Sequence, residues 1–413
     1  MKHLIFYIFV ILSIAACSHV KPEAKPEVKP VEKPVIVTPL VTPSSETMVK
    51  LTPENYPQFE LGDYNSLKEA INRDLKYLNH QAKSSQKKSF NYGKDVYSAG
   101  EIKESLIEFL ALMELFQDDN AGFNNEIKKR FIVYRSTGSD GVGRTLFTGY
   151  YVPEINGSLK KNEVYRYPVY TTPKDLIPID LGLFSDKFKG KTILARYTSG
   201  KILPYYTNEE IFDGALDEKG LELFWVDDRL KLFFMQIQGS GVIKLEDGSE
   251  INLGYAGSNG HIYKGIGKYF IDKGYITTEE MSMQSIISYL KQHPEELDNA
   301  LFYNPSYVFF KKTNEIAFGS LGVQLVSMRS IATDQKIFPK AALAYIQTSK
   351  PLCNEKGEIT GWCKFSQFVL NQDTGGAIKG KGRVDIFWGT GDYAEIAAGN
   401  LKNMGELYFL IKK

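Results

Sequence analysis

Three aspartates stand in one glycine-rich stretch that runs from Asp373-Thr374-Gly375-Gly376 through Val384-Asp385-Ile386-Phe387-Trp388 to Gly389-Thr390-Gly391-Asp392. They are not equivalent. Asp385 interrupts an aliphatic and aromatic run that reads as a strand, where an unpaired charge is costly. Apolar surroundings raise a carboxyl pKa and yield a proton donor near neutral pH, which is what a glycosidic general acid requires. Asp373 reads either as the anchor of an Asx-turn ahead of the glycines or as a second functional acid. Asp392 precedes Tyr393-Ala394-Glu395 and is expected to cap a helix, with Glu395 at the third helical position. Asp373-Thr374-Gly375 also resembles an aspartic-protease triplet, but that chemistry needs a second carboxylate from a second such triplet, and the chain has none. The glycines lack the spacing of a phosphate loop or a dinucleotide fingerprint.

A second dense stretch is Phe233-Phe234-Met235-Gln236-Ile237-Gln238-Gly239-Ser240-Gly241, followed by Gly254-Tyr255-Ala256-Gly257-Ser258-Asn259-Gly260-His261. Gln236 and Gln238 are expected on one face of a strand, both amides pointing the same way. The amides of Gln236, Gln238 and Asn259, the Ser240 hydroxyl, and the rings of Tyr150, Tyr151, Tyr255 and Trp388 suit a sugar polymer. The amides and hydroxyls would bond hydroxyl and acetamido groups while the rings stack on sugar faces. Ser240 makes a poor nucleophile, since G-x-S-x-G is absent. His261 reads as structural, because no second histidine lies at ligand spacing; neither metal nor organic cofactor is expected.

Composition supports carboxylate chemistry in a globular protein. The chain has 413 residues, 50 Lys+Arg against 49 Asp+Glu, and 43% hydrophobic residues, enough for two or three domains. A net charge of +1 gives no electrostatic case for nucleic acid. The three cysteines cannot build a zinc ribbon. At the N-terminus, Lys2 and His3 precede the apolar run Leu4–Ala16, which is too short to span a bilayer and ends at Cys17. Residues 1–16 therefore read as a lipoprotein signal peptide. Cys17 would be the lipidated residue, and Ser18, rather than Asp, points to the outer membrane with the protein facing the periplasm. Residues 17–48 form a Lys/Pro-rich spacer, which at about 3.1 Å per residue holds the folded part well off a membrane.

The folded part begins with helical spacing at Leu67, Ile71, Leu75 and Leu78, then a capping box at Ser98 and Glu101 ahead of Leu106, Phe109, Leu110 and Met113. Strands are expected at Phe147–Tyr151 and Val164–Tyr170, and a hairpin around Asp247-Gly248. Helices follow at 263–273 and 279–292, and strands again in the last third. A turn near Lys356-Gly357 would bring Cys353 and Cys363 together, as a disulfide if the protein is exported or otherwise as free thiols. The expected class is mainly β, barrel-like, with added helices.

At several separated motifs the chain resembles the membrane-bound lytic murein transglycosylase A family. These are Phe147-Thr148-Gly149-Tyr150-Tyr151 with Pro153, Gln236–Gly241, Tyr255–His261, Asn304-Pro305-Ser306-Tyr307-Val308-Phe309-Phe310, and the three-aspartate block. The resemblance implies two domains with a groove between them. One is a double-psi β-barrel assembled from 49–156 and 310–413, and the other is an inserted β-rich domain at 157–309. It implies peptidoglycan as substrate, cut between N-acetylmuramic acid and N-acetylglucosamine, with Asp385 as the catalytic acid/base and Asp373 as its support. Two rivals stay open: a hydrolase of the same glycan using both aspartates, and a non-catalytic cell-wall-binding lipoprotein.

Overall fold

The computed structural model describes residues 46–82 and 88–413; the leader, Cys17 and the Lys-Pro stretch to Pro43 lie outside them. Six strands close into a barrel. Around the ring they are Asn403–Lys412, Leu343–Cys353, Ile359–Asp373, Ser330–Ala332, Arg383–Phe387 and Thr145–Tyr150, which returns to Asn403–Lys412. Two neighbouring pairs are parallel, Ser330–Ala332 with Ile359–Asp373 and Arg383–Phe387 with Thr145–Tyr150; the others are antiparallel. The ring closes where Asn403, Met404 and Gly405 pair with Phe147, Leu146 and Thr145. A Cβ on Gly405 would lie 2.2 Å from the Gln347 carbonyl oxygen and 2.8 Å from the Phe147 ring, so closure there depends on glycine.

The helices cover this barrel with the faces the sequence marks. Leu67, Ile71 and Leu78 of Tyr64–Ala82 are fully buried, as are Leu106, Phe109 and Met113 of Ala99–Leu115, into one core with Phe368, Tyr345 and Phe409. Ser98 and Glu101 form the reciprocal capping box that starts the second helix. Arg329 fastens the first helix to the barrel without a carboxylate. Its guanidinium donates to the carbonyls of Phe368 and Asp63 at 2.7 and 2.8 Å and to the Ser66 hydroxyl at 3.0 Å.

Between Tyr150 and Ser330 the chain builds a second β-rich lobe. Its six-stranded sheet runs Val308–Thr313, Glu250–Ser258, Ser240–Leu245, Glu154–Ser158, Glu222–Val226, Tyr167–Tyr170. The first of these strands in the chain, Glu154–Ser158, straddles the expected boundary at 157, and the last runs on past 309. The hairpin around Asp247-Gly248 is present, with Gly248 at φ 83°. The strand expected at Val164–Tyr170 forms only at Tyr167–Tyr170, because the Asn162 side chain turns the chain by accepting from the N–H groups of Val164 and Tyr165. Met283 packs against the cores of both lobes, and the Gln284 amide donates to the Glu395 carbonyl at 3.2 Å. The groove that the resemblance implies would lie between the lobes. Closed barrel, helices and added β lobe together give the two-domain, mainly β architecture the resemblance implies.

Two expectations need correction. Cys353 and Cys363 do lie on one hairpin, yet Cys353 pairs with Ile359 and Cys363 with Lys350, and both are free thiols. Three register positions at about 3.3 Å each carry them beyond disulfide reach. Asp392 is the first residue of the helix Asp392–Asn400, and its cap is Gly391 at φ 85° with no side-chain bond to the helix end.

Candidate active site

Strand register brings the two acids together. Ala332 pairs on one side with Asp373 and on the other with Asp385, so the carboxyls project from strands that flank it, about 10 Å apart at their Cα atoms. Alternation sets their direction: Val384 and Ile386 are fully buried in the barrel, which turns Arg383 and Asp385 to the opposite face of the strand. Thr148 pairs with Asp385, and Tyr150 lies two residues further on the same face.

The two carboxyls are held very differently. Asp373 accepts three hydrogen bonds: the Ser320 and Thr374 N–H groups at 2.8 Å each on Oδ1, and the Tyr150 hydroxyl at 3.0 Å on Oδ2. Asp385 accepts one among the described residues, a short bond from the Thr148 hydroxyl to Oδ1. That hydroxyl in turn accepts from Arg383 Nε at 3.2 Å. Both carboxyls are half-buried and keep partial solvent access. Burial pushes Asp373 up to about 6, against the pull of its three donors. Burial also raises Asp385, opposed by the Thr148 bond and the Arg383 charge. Burial raises the Tyr150 phenol well above its usual range, helped by the charge of Asp373, so it stays a neutral donor. Behind Asp373, the Gln372 amide donates to the buried Asp74 carboxyl at 2.9 Å; burial raises that carboxyl to about 8.

The lobe side is built from neutral groups. Gln236 and Gln238 belong to the helix Arg229–Gln238, not to a strand. Asp228 caps that helix by accepting from the N–H groups of Leu230 and Lys231, and Gly239 ends it at φ 78°. Gln238 Oε1 accepts from the Tyr151 N–H at 3.1 Å, tying the helix end to the residue after Tyr150. Gln236 is buried beside Tyr307. Ser240 opens the hairpin opposite Gly254 and is half-buried, while Tyr255 is 54% exposed.

Four of the expected sugar contacts are buried side chains. Gln236 and the Tyr151 ring are buried; Trp388 is stacked on Phe365 at 5.6 Å, and its Nε1 finds no partner among the described residues. Asn259 is spent on the fold, donating to the Tyr206 and Pro305 carbonyls and accepting from the Tyr307 N–H. His261 is structural, its Nε2 2.7 Å from the Tyr205 carbonyl oxygen. Among the described residues no three His, Cys, Asp or Glu side chains gather as metal ligands. Thr148 and Arg383 were not singled out from the sequence, although strand alternation puts Arg383 on the Asp385 face. Ser320 carries no sequence signal, since it arrives through a loop.

The MltA specific insert domain matches residues 146–311, and the 3D domain matches residues 329–411. The membrane-bound lytic murein transglycosylase A of Escherichia coli K12 is 34% identical over 280 residues, 67% of this chain and 68% of that protein. The chain belongs to the membrane-bound lytic murein transglycosylase A family. The Vibrio cholerae relative of the same name is 33% identical over 276 residues, 66% of this chain and 67% of its own length. Among solved structures, the membrane-bound lytic murein transglycosylase from Agrobacterium tumefaciens superposes with a TM-score of 0.69 at 25% identity, covering 89% of this chain and 98% of that one. E. coli MltA with bound chitohexaose gives 0.66 at 25% identity, over 89% and 95%.

Proposed function

We propose that the protein is a lytic transglycosylase that cuts peptidoglycan between N-acetylmuramic acid and N-acetylglucosamine, with Asp385 as general acid and then base. The observation that carries the mechanism is the asymmetry of the two aspartates: Asp373 is occupied on both oxygens, whereas a single hydroxyl reaches Asp385 among the described residues. A protonated Asp385 gives its proton to the glycosidic oxygen as the bond to C1 breaks. The muramyl C6 hydroxyl attacks C1 and returns its proton to Asp385, closing a 1,6-anhydro ring. An internal nucleophile already in position carries an effective molarity of about 10⁵ M or more, so one carboxyl suffices. Asp373 supports the site by holding Tyr150, and Tyr150, Gln238, Ser240 and Tyr255 are the groups we assign to sugar contacts.

A hydrolase would require a second carboxylate free to activate water, and Asp373 is already engaged by three donors. Mass spectrometry of fragments released from purified sacculi tests the reading: 1,6-anhydromuramic ends are expected. Reducing ends as the main product would replace it with the hydrolase, and undigested sacculi would leave a binding protein. The relatives' names include "membrane-bound"; we infer attachment through a lipid on Cys17, facing the periplasm from the outer membrane. Incorporation of a labelled palmitate analogue should vanish in Cys17→Ala.

A further inference from the structure

The inserted lobe carries a separate three-stranded sheet, Ile177–Asp180, Thr192–Thr198 and Lys201–Pro204. One face docks on the lobe: Leu194 lies against Gly260, and the Arg196 guanidinium sits 4.1 Å over the Tyr206 ring. Register puts Ile179 beside Ile193 and Tyr197 beside Ile202 on the opposite face, with Ile177 in the row between them. Of these, Ile193 is 46% exposed, Ile202 60% and Tyr197 65%. The turn after the first strand adds Leu183 and Phe184, 85% and 73% exposed. Contiguous apolar surface of this kind marks an interaction site.

The rim is cationic. Lys187, Lys189, Lys191 and Lys201 are exposed, and among the described residues none of them is held in an ion pair. Of the segment's acids, Asp175 pairs with Lys219, Asp180 accepts from the nearby Gly182 N–H, and Asp186 is exposed beside Lys187, so the lysines outnumber the acids left on the rim. In a chain of net charge +1 this is a local concentration of positive charge. Glycan would call for amides and carboxylates, which the face does not offer. We propose that it docks on an anionic lipid surface, with Leu183 and Phe184 entering the interface and the lysines meeting the headgroups. The contact is independent of any acyl chain on Cys17.

The test uses the full chain with Cys17, Cys353 and Cys363 replaced by serine and a single environment-sensitive nitrobenzoxadiazole dye on Phe184→Cys. A control carries the dye on Glu355→Cys in the barrel hairpin. Protein floated with phosphatidylethanolamine–phosphatidylglycerol vesicles should show a several-fold brightening and blue shift at 184 and little change at 355. The combined Lys187→Glu, Lys189→Glu and Lys191→Glu substitutions should abolish the response at 184 with an unchanged melting curve. A dye at 184 that stays in water on floated protein overturns the proposal, as does equal brightening on pure phosphatidylcholine. Shielding by a periplasmic extract without any response to vesicles would assign the face to a protein partner instead.

Discussion

On the barrel side of the groove, Asp385, Asp373, Thr148 and Tyr150 are thrown off neighbouring strands, and their mutual positions follow from hydrogen-bonded register. On the lobe side, Gln238, Ser240 and Tyr255 come from a helix end and a hairpin, and the Gln238–Tyr151 bond ties that wall to the end of the Thr145–Tyr150 strand. The barrel wall holds ionisable groups whose affinities for protons are tuned by burial and close donors; the lobe wall holds neutral groups. On the proposed mechanism the division separates chemistry from recognition: the strands would place the proton, and the neutral wall would meet the polymer.

If that division holds, substitutions on the two walls should fail in different ways. Asp385→Asn should have the largest effect, a loss of at least about 10²–10⁴-fold in turnover with glycan binding retained, read from sacculus digestion and glycan pull-down. Full activity in that variant would end the single-acid mechanism. Thr148→Val removes a bond that lowers the Asp385 pKa, so the carboxyl should keep its proton to higher pH. Since the acid must start protonated, the alkaline limb of kcat/KM should move upward, with a smaller loss of rate. A limb that stays in place means that Asp385 is not the titrating donor. On the other wall, Gln238→Ala should raise KM several-fold with kcat little changed, and cost about 0.5–1.5 kcal/mol for the lost Tyr151 bond in a melting experiment. A collapse of kcat there would erase the distinction between the walls. Smallest is Asp392→Ala: without a cap bond to lose, it should stay within about 0.5 kcal/mol of wild type and fully active.

The same contrast explains what could be read from the sequence. Asp385 was legible because an unpaired charge within the run Val384, Ile386 and Phe387 is costly without a reason, and two of the helices preceding the barrel announce themselves through period and cap. The lobe side was harder. Phe233, Gln236 and Gln238 fit a strand as well as a helix over so short a run; the deciding signals were Asp228 and Gly239 at its ends. Burial of Trp388 and Asn259 depends on neighbours far along the chain, Phe365 and Pro305, which no local pattern reveals. The donors of Asp373 include a backbone N–H from residue 320, legible only once the loop is closed.

The insertion points also matter mechanically. The lobe leaves the barrel after Thr145–Tyr150 and rejoins it before Ser330–Ala332, and these two strands lie on either side of Arg383–Phe387. The two stalks of the lobe therefore straddle the strand that bears Asp385. Were the lobe to tilt so that a glycan strand could thread the groove, its axle would run through that strand. Displacement grows with distance from an axle, so the jaw tips would travel while the carboxyl stayed nearly still. A hinge so placed would let the lobe open for a long polymer while Asp385 stayed nearly still.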